Sequence, residues 1–494
     1  MPSIRVTIID NTDRRKRTVL LLQSSGSSTA LATQLHHGAK TKLRIKNPDR
    51  LIVLHTGAEL TDEDGIAGYL RTDNKREKEI VVCGKGQQFV GQTSTAGETD
   101  ERTRPNVSVI AEHSAVENDA IKQLYLTVER CPYINMAVGM PDLHLGNSSP
   151  VGCVFITSTE AIYPKLIGSD IGCGMSLFKL PSLLSTSKRI ETPSLLAKQL
   201  INIDGPMENP PNLFEDSAAH SQTLGTIGKG NHFAEFLVVD EILDTDHATR
   251  MQISSSVAYL LIHSGSRSYG KAILEAAPPV LNSATDPQQF NEYIRQHDQA
   301  CTWAQRNREL IATRLLDPLG LADTVEKLVD IFHNSVTSAE MAAERGWVHR
   351  KGAAPAVPGQ PVVIPGSRGA YSYVVMPKDL DHTPNGTSQP RLPRILTCLI
   401  AARYNSLPSY TGFSLAHGAG RAVARTQSHH KINPKSDLTT TKLGSTVICM
   451  DKTLLLEEAP ECYKDIDAVI EDLRPYVDVV ARLRPIVTYK TMER

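Results

Sequence analysis

No C-x-x-C pair occurs among the eight cysteines, which stand at 83, 131, 153, 173, 301, 398, 449 and 462. Scattered in this way they build no disulfide framework, and this fits a reducing compartment. No run of about 18 apolar residues is present, so no membrane span is expected. The N-terminus carries Arg5 and no apolar core of a signal peptide, and a cytoplasmic or nuclear protein is expected. A net charge of −1 gives no global positive field. Any nucleic-acid site must therefore be a local basic patch. There is no internal repeat and no low-complexity tract, which sets aside solenoids and tails. What is present is ordinary: 494 residues, 40% hydrophobic and 22% charged. That is a soluble globular composition, with length for two or three domains.

Residues 1–86 read as a separate small module. Ser3–Ile9 alternates as a strand does, Asp10-Asn11-Thr12-Asp13 supplies a turn, and Arg17–Leu22 is a second strand. Ser27–Leu43 is a helix candidate, and Leu51–Leu54 and Glu79–Val82 are short strands. The order β-β-α-β-β resembles a ubiquitin-like β-grasp domain. No terminal Gly-Gly follows; Cys83-Gly84-Lys85-Gly86 runs on, which suits a built-in dock for a protein partner. Residues 87–106 are polar, lack periodicity and end at Pro105-Asn106, as a linker does.

A second domain is expected over 107–494. Val107–Ile110 is a strand, and Ser114-Ala115-Val116-Glu117 matches a capping box. Behind it Val116, Ala120, Ile121, Leu124 and Val128 share one helical face. Asp142 and His144 fall in an expected loop, and Val151–Ile156 and Ala258–Ile262 in strands. Glu292–Leu316 is a long helix candidate, residues 378–392 a polar insertion, and Val477–Lys490 a basic tail.

Chemistry concentrates in Leu166–Met175, L-I-G-S-D-I-G-C-G-M. Asp170 offers a hard oxygen and Cys173 a soft sulfur able to bridge, a mixture that suits a borderline transition metal better than calcium. A buried structural cysteine beside a tight turn is the competing reading. Further ligand types recur: His232, His263 and His417 sit in glycine-rich sequence, and His333 closes the apolar run Val325–Phe332. Each alone is as readily structural, but several in matching settings are hard to explain as packing. Gly366-Ser367-Arg368-Gly369 and Gly418-Ala419-Gly420-Arg421 each pair exposed backbone N–H groups with an Arg, a combination suited to phosphate.

Eight motifs then fall in order: P-D-L-H at 141–144, D-I-G-C-G-M at 170–175, G-x-G-N-H-F-x-E at 228–235 and H-S-G-S-R at 263–267. H-N at 333–334, H-R-K-G-A at 349–353, P-G-S at 365–367 and H-G-A-G-R at 417–421 follow. Together they resemble the RtcB RNA ligases over 107–494. The forms G-S-D-I-G-C-G-M and I-P-G-S-R-G-x-x-S-Y are nearer the branch associated with release factor H. The resemblance implies a mixed α/β (α+β) catalytic domain with GTP and two Mn²⁺ ions as cofactors. Cys173 would bridge the ions, with Asp170 and His232 on one and His263 and His333 on the other. His417 would be the nucleophile that forms His–GMP. Asn231, Glu235, Asn334, Ser367, Ser372, Gly418, Ala419, Gly420, Tyr463 and Lys490 would hold the nucleotide. Arg267, Arg350 and Arg421 would meet RNA or triphosphate. The implied substrates are RNA 3′-phosphate or 2′,3′-cyclic phosphate ends and 5′-hydroxyl ends, joined in RNA repair or tRNA splicing. One departure stands out: the family's basic G-K-G is here Gly146-Asn147-Ser148. It favours the alternative of a non-ligating protein that binds or senses RNA ends and keeps the metal site.

Overall fold

The computed structural model describes residues 3–11, 16–23, 30–54, 58–71, 78–85, 87, 89, 106–180, 198, 200, 205–322, 325–341, 344–378, 411–428, 432 and 437–490. Most of the expected linker, and the insertion beyond residue 378, lie outside them. The chain divides into two compact units, Met1–Arg104 with Ala111–Gln123, and Pro105–Ile110 with Leu124–Arg494.

The first unit is built from Ser3–Asp10 (β1), Arg17–Gln23 (β2), Leu31–Lys42 (α1), Pro48–Val53 (β3), Glu63–Arg71 (α2) and Glu79–Gly84 (β4). All four expected strands form. The connection at 62–70 also forms a helix, where only a link was expected. Strand order is β2-β1-β4-β3, with β1 and β4 parallel at the centre. Period-2 alternation puts Val6 and Ile8 on the face that also buries Leu35, Ala39 and Ile66 from the two helices.

Further along come Asn106–Val109 (β5), Asn118–Arg130 (α3), Ile134–His144 (β6), Val151–Ser158 (β7), Ala161–Ile162 (β8) and Gly174–Lys179 (β9). Then follow Phe233–Ile242 (β10), Thr245–Arg250 (α4), Ala258–Ser264 (β11), Ser268–Ala276 (α5), Leu281–Asn282 (β12) and Pro287–Leu316 (α6). Next are Glu326–Phe332 (β13), Asn334–Met341 (β14), Glu344–Lys351 (β15), Ala353–Pro355 (β16), Val362–Pro365 (β17) and Ser372–Pro377 (β18). Ser414–Ala416 (β19), Thr446–Ile448 (β20), Lys452–Glu457 (α7), Ile466–Leu473 (α8) and Val477–Tyr489 (β21) follow.

Two sheets dominate the second unit. One has the order β13-β9-β11-β10-β21-β18-β17, with β20 beside β21; the other has the order β14-β15-β7-β6-β5. Their facing sides share one core, in which Val138, Val154 and Ile156 meet Met175, Leu177, Leu261 and Val374. The alternate residues Phe178, Leu260, Ile262 and Phe236 point to the opposite face and pack on Ile311, Leu315 and Leu316 of α6.

Several expectations change. Asp142 and His144 do not sit in a free loop. They end β6, where the pairing with β7 shifts register between Gly139 and His144. Such an irregularity re-aims side chains. Helix α3 starts at Asn118, beyond the proposed capping box. Helix α6 starts five residues before Glu292, because Asp286 caps Gln289 N–H at 2.9 Å and Pro287 suits the first turn. The basic tail is a 13-residue strand inside the large sheet. Its apolar residues outnumber its charges, and Arg482 is taken up by Asp240 and Glu241.

Candidate active site

Four neighbouring strands deliver the histidines and the cysteine to one row. Register pairs Phe233 with His263, His263 with Met175, and Phe332 with Gly174. His232, Cys173 and His333 each stand one residue before or after a paired position. They therefore line up with His263 across strands about 4.8 Å apart. Gly174 is required here, since a Cβ would fall 1.9 Å from the Ile331 carbonyl oxygen.

The donor atoms converge. Cys173 Sγ lies 3.3 Å from both His232 Nε2 and His263 Nε2. His232 Nε2 is 3.0 Å from Asp170 Oδ2, and His263 Nε2 is 3.2 Å from His333 Nε2. The order in space is Asp170, His232, Cys173, His263, His333, with the sulfur in the middle. His232 Nδ1 sits 3.0 Å from the Ile227 carbonyl, which can only accept. The ring proton is thus on Nδ1, and the Nε2 lone pair faces the cluster. Asp170 Oδ1 accepts the Arg267 N–H at 2.9 Å, and Gly265 leaves room for that carboxylate.

Electrostatics fit a cation. Burial opposes the charge on Asp170, yet its bond to His232 and the charge of Arg267 hold its carboxyl below the usual range. Burial, then neighbouring histidines, push His263 and His333 well below 6.5, so both are neutral. Among the described residues His333 Nδ1 is buried without a hydrogen-bond partner. Imidazole lone pairs, one thiol and one carboxylate gathered in an enclosed space, with a buried polar atom unmet, fit a borderline divalent metal. The resident ions implied by the resemblance are therefore compatible with these residues.

His417 lies beside the cluster, its ring centroid 4.8 Å from that of His333. Its Nδ1 is 2.6 Å from Asp142 Oδ2, and its backbone N–H donates to the same oxygen at 3.3 Å. The ring and carboxylate touch without hydrogen-bond geometry, so Asp142 acts on the ring through its charge and on the backbone through the N–H bond. Gly352, at φ 62°, lets the rings approach, because a Cβ would meet His417 Cε1 at 2.9 Å.

A cavity of about 260 Å³ opens on His417. Of the nucleotide candidates, all but Ser372 line it; Ser372 is buried in β18 against β21. Tyr463, Arg421 and Lys490 gather round Glu458, with Arg421 at 3.0 Å and Lys490 at 3.5 Å. Burial pushes Glu235 up to about 7, although the Thr488 hydroxyl and Lys490 oppose the shift. Arg421 lines the cavity; Arg267 and Arg350 do not. Arg350 is buried and bound to Ser414, Thr337 and the Phe413 carbonyl. Arg267 holds a strained backbone at φ 59° and closes over Gly228.

Sequence reasoning missed Asp142 and His144 as site residues, although the P-D-L-H motif contains both. It placed Lys351 in the H-R-K-G-A motif without a site role; its Nζ donates to the Ser149 carbonyl and hydroxyl at 2.8 Å and 2.9 Å at the cavity wall. It also missed Glu458, and Arg308 and Asn307 on α6. Arg308 donates to the carbonyls of Gly172 and Ser264 at 3.0 and 2.9 Å. Asn307 accepts from Gly225 N–H at 2.7 Å and donates to Gly265 O at 3.1 Å. No motif in the helix announces either residue.

Comparison with known proteins adds a family. A sequence model described as "tRNA-splicing ligase RtcB" matches residues 125–202, 194–388 and 400–491. A protein named RNA-splicing ligase RtcB2 from Escherichia coli is 36% identical over 388 residues, covering 76% of this chain and 93% of the relative. An RNA-splicing ligase RtcB of a second Escherichia coli strain is 28% identical, covering 76% and 95%. A tRNA-splicing ligase RtcB from Nanoarchaeum equitans is 27% identical, covering 72% and 87%.

Proposed function

The chain belongs to the RtcB family, and on that premise we propose that it is a GTP- and Mn²⁺-dependent RNA ligase. It joins RNA 3′-phosphate or 2′,3′-cyclic phosphate ends to 5′-hydroxyl ends, in RNA repair or tRNA splicing. The observation that carries this reading is His417, held by Asp142 beside the Cys173 cluster and facing the cavity.

His417 Nε2 attacks the α-phosphorus of GTP, a P–N bond forms, and pyrophosphate leaves. Asp142 stabilises the positive charge that the ring acquires. GMP then passes to an RNA 3′-phosphate, after water has opened any 2′,3′-cyclic phosphate. The 5′-hydroxyl oxygen attacks the activated 3′-phosphorus, GMP leaves, and the hydroxyl proton goes to solvent. Asp170, His232, Cys173, His263 and His333 would hold two Mn²⁺ ions, which supply charge neutralisation at the phosphates. Tyr463, Lys490 and Glu235 offer hydroxyl, ammonium and carboxyl groups to the guanylate.

The first unit is read as a ubiquitin-like module, a reading supported by its β2-β1-β4-β3 order with a parallel central pair. The motif forms support a place near the branch associated with release factor H. The uncharged Gly146-Asn147-Ser148 favours the second reading, an RNA-end sensor without ligation. Incubation with α-labelled GTP and Mn²⁺ separates the two. Acid-labile label on the wild-type protein, absent from His417→Ala, is expected. No label on a metal-loaded wild type would sink the ligase reading.

A further inference from the structure

The family match starts at residue 125 and leaves the first unit without a role. Charge is split unevenly along the chain. Residues 1–86 hold 15 Lys and Arg against 10 Asp and Glu, a net of +5, while the remaining residues hold 38 against 44, a net of −6. A catalytic part that is net negative, with Gly146-Asn147-Ser148 in place of the family's basic residue, gives no long-range positive field to draw RNA in.

The first unit concentrates cations at one place. Lys40 and Lys42 end α1, and Leu43 N–H and Ile45 N–H both bond the Ala39 carbonyl, so the chain turns tightly there. Leu43 and Ile45 are buried, which leaves Lys42, Arg44 and Lys46 directed outward between them. Lys85 joins them, because its N–H bonds the Asn47 carbonyl at 2.7 Å. All five side chains are exposed, and none has an ion pair or side-chain hydrogen bond among the described residues. Lys40 and Lys42 also complement the helix C-terminus. Arg44, Lys46 and Lys85 have no such duty. Among the described residues, the large apolar ones exposed on this unit, Val19 and Leu21, lie on β2 and not in the stretch 40–46. Point charges without apolar or aromatic anchors suit a polyanion read by its charge, and not a protein interface, whose centre is normally aromatic and poor in Lys.

We propose that Lys40, Lys42, Arg44, Lys46 and Lys85 form an accessory surface that binds the phosphate backbone of the RNA substrate without reading its sequence. This rests on the RNA-ligase reading for the identity of the polyanion. Each contact replaces counterions on the RNA, so affinity through this surface falls with salt.

The test uses the full chain and a fluorescent single-stranded RNA with a 5′-hydroxyl and a 3′-phosphate. Binding is followed by anisotropy from about 50 to 200 mM salt. The variant is K40Q/K42Q/R44Q/K46Q/K85Q. It should lose up to about 3.5 from the slope of log K against log salt, at about 0.7 for each of the five phosphate contacts. A scrambled RNA should give the same loss, and Lys-to-Arg replacements at 40, 42, 46 and 85 should retain the slope. An unchanged slope in the Gln variant overturns the proposal. So does binding of polyglutamate in preference to RNA, which would assign the surface to an acidic protein. Labelling with α-labelled GTP needs no RNA and should be equal in both proteins. RNA binding without any label would sink the ligase reading and leave this surface standing; label without a change in slope would do the reverse.

Discussion

Asp142 carries more of the site than its place in a strand end suggests. It is fully buried, and one of its oxygens contacts both the ring and the backbone N–H of His417. Asp142→Asn keeps the shape but removes the charge that stabilises an imidazolium. The expected result is a drop of about 10–100-fold in the single-turnover rate of guanylate labelling, with melting temperature little changed. An unaltered rate would show that the Asp142 charge does not act on the His417 ring. Glu235 yields a pH effect. Its carboxyl titrates near 4.5 when unfolded and near 7 when buried. Between those values the unfolded chain sheds a proton that the folded one keeps. The stability contributed by the protonated group is complete below the lower value and is lost as pH rises through the upper one, on the order of 3 kcal/mol in all. Glu235→Gln lacks that loss, so its urea midpoint should gain on the wild type from about pH 5 to about pH 8. A constant gap between the two would contradict this.

At the scale of elements, helix α6 works as a brace. Arg308 is fully buried and pairs with Asp330 at 2.5 Å, while its Nη1 donates to the carbonyls of Gly172 and Ser264, which flank Cys173 and Gly265, and its Nε to Ser176 Oγ. Arg308→Met should cost about 3 kcal/mol, because two buried carbonyls lose their donor and Asp330 keeps only Lys327, at 3.2 Å, as a counter-charge. It should also weaken Mn²⁺ binding in calorimetry. Full-strength metal binding in the folded variant would show that the brace is not needed to place Cys173. Strands were largely legible in advance because period-2 alternation survives in sequence: Ser3–Asp10 and Ala258–Ser264 are examples. The last strand was not, because Arg482 and Arg484 mask its apolar residues until Asp240 and Glu241 are seen across the sheet.

On the scale of the whole molecule, two units imply two cooperative transitions. Mn²⁺ held by Asp170, Cys173 and the three histidines should raise only the transition of the larger unit, by mass action on its folded form. Calorimetry with and without Mn²⁺ reads this directly, and a shift of both transitions together would mean that the units unfold as one. No helix among the described residues is long and apolar enough to cross a membrane.

The residue types of the site, and their order, were written in the sequence. Asp170, Cys173, His232, His263, His333 and His417 could be named from it, because glycine-rich turns bearing ligand side chains leave a local signature. The tertiary structure decided which of these residues touch. Strand register sets Cys173 between His232 and His263, separated from them by 59 and 90 residues along the chain. It also turned Asp142 onto His417 and withdrew Arg350 from the cavity, filling its bonds with Ser414 and Thr337. Sequence records what each residue can donate or accept. Which partner it meets depends on long-range packing of two sheets and a helix, and no local pattern encodes that.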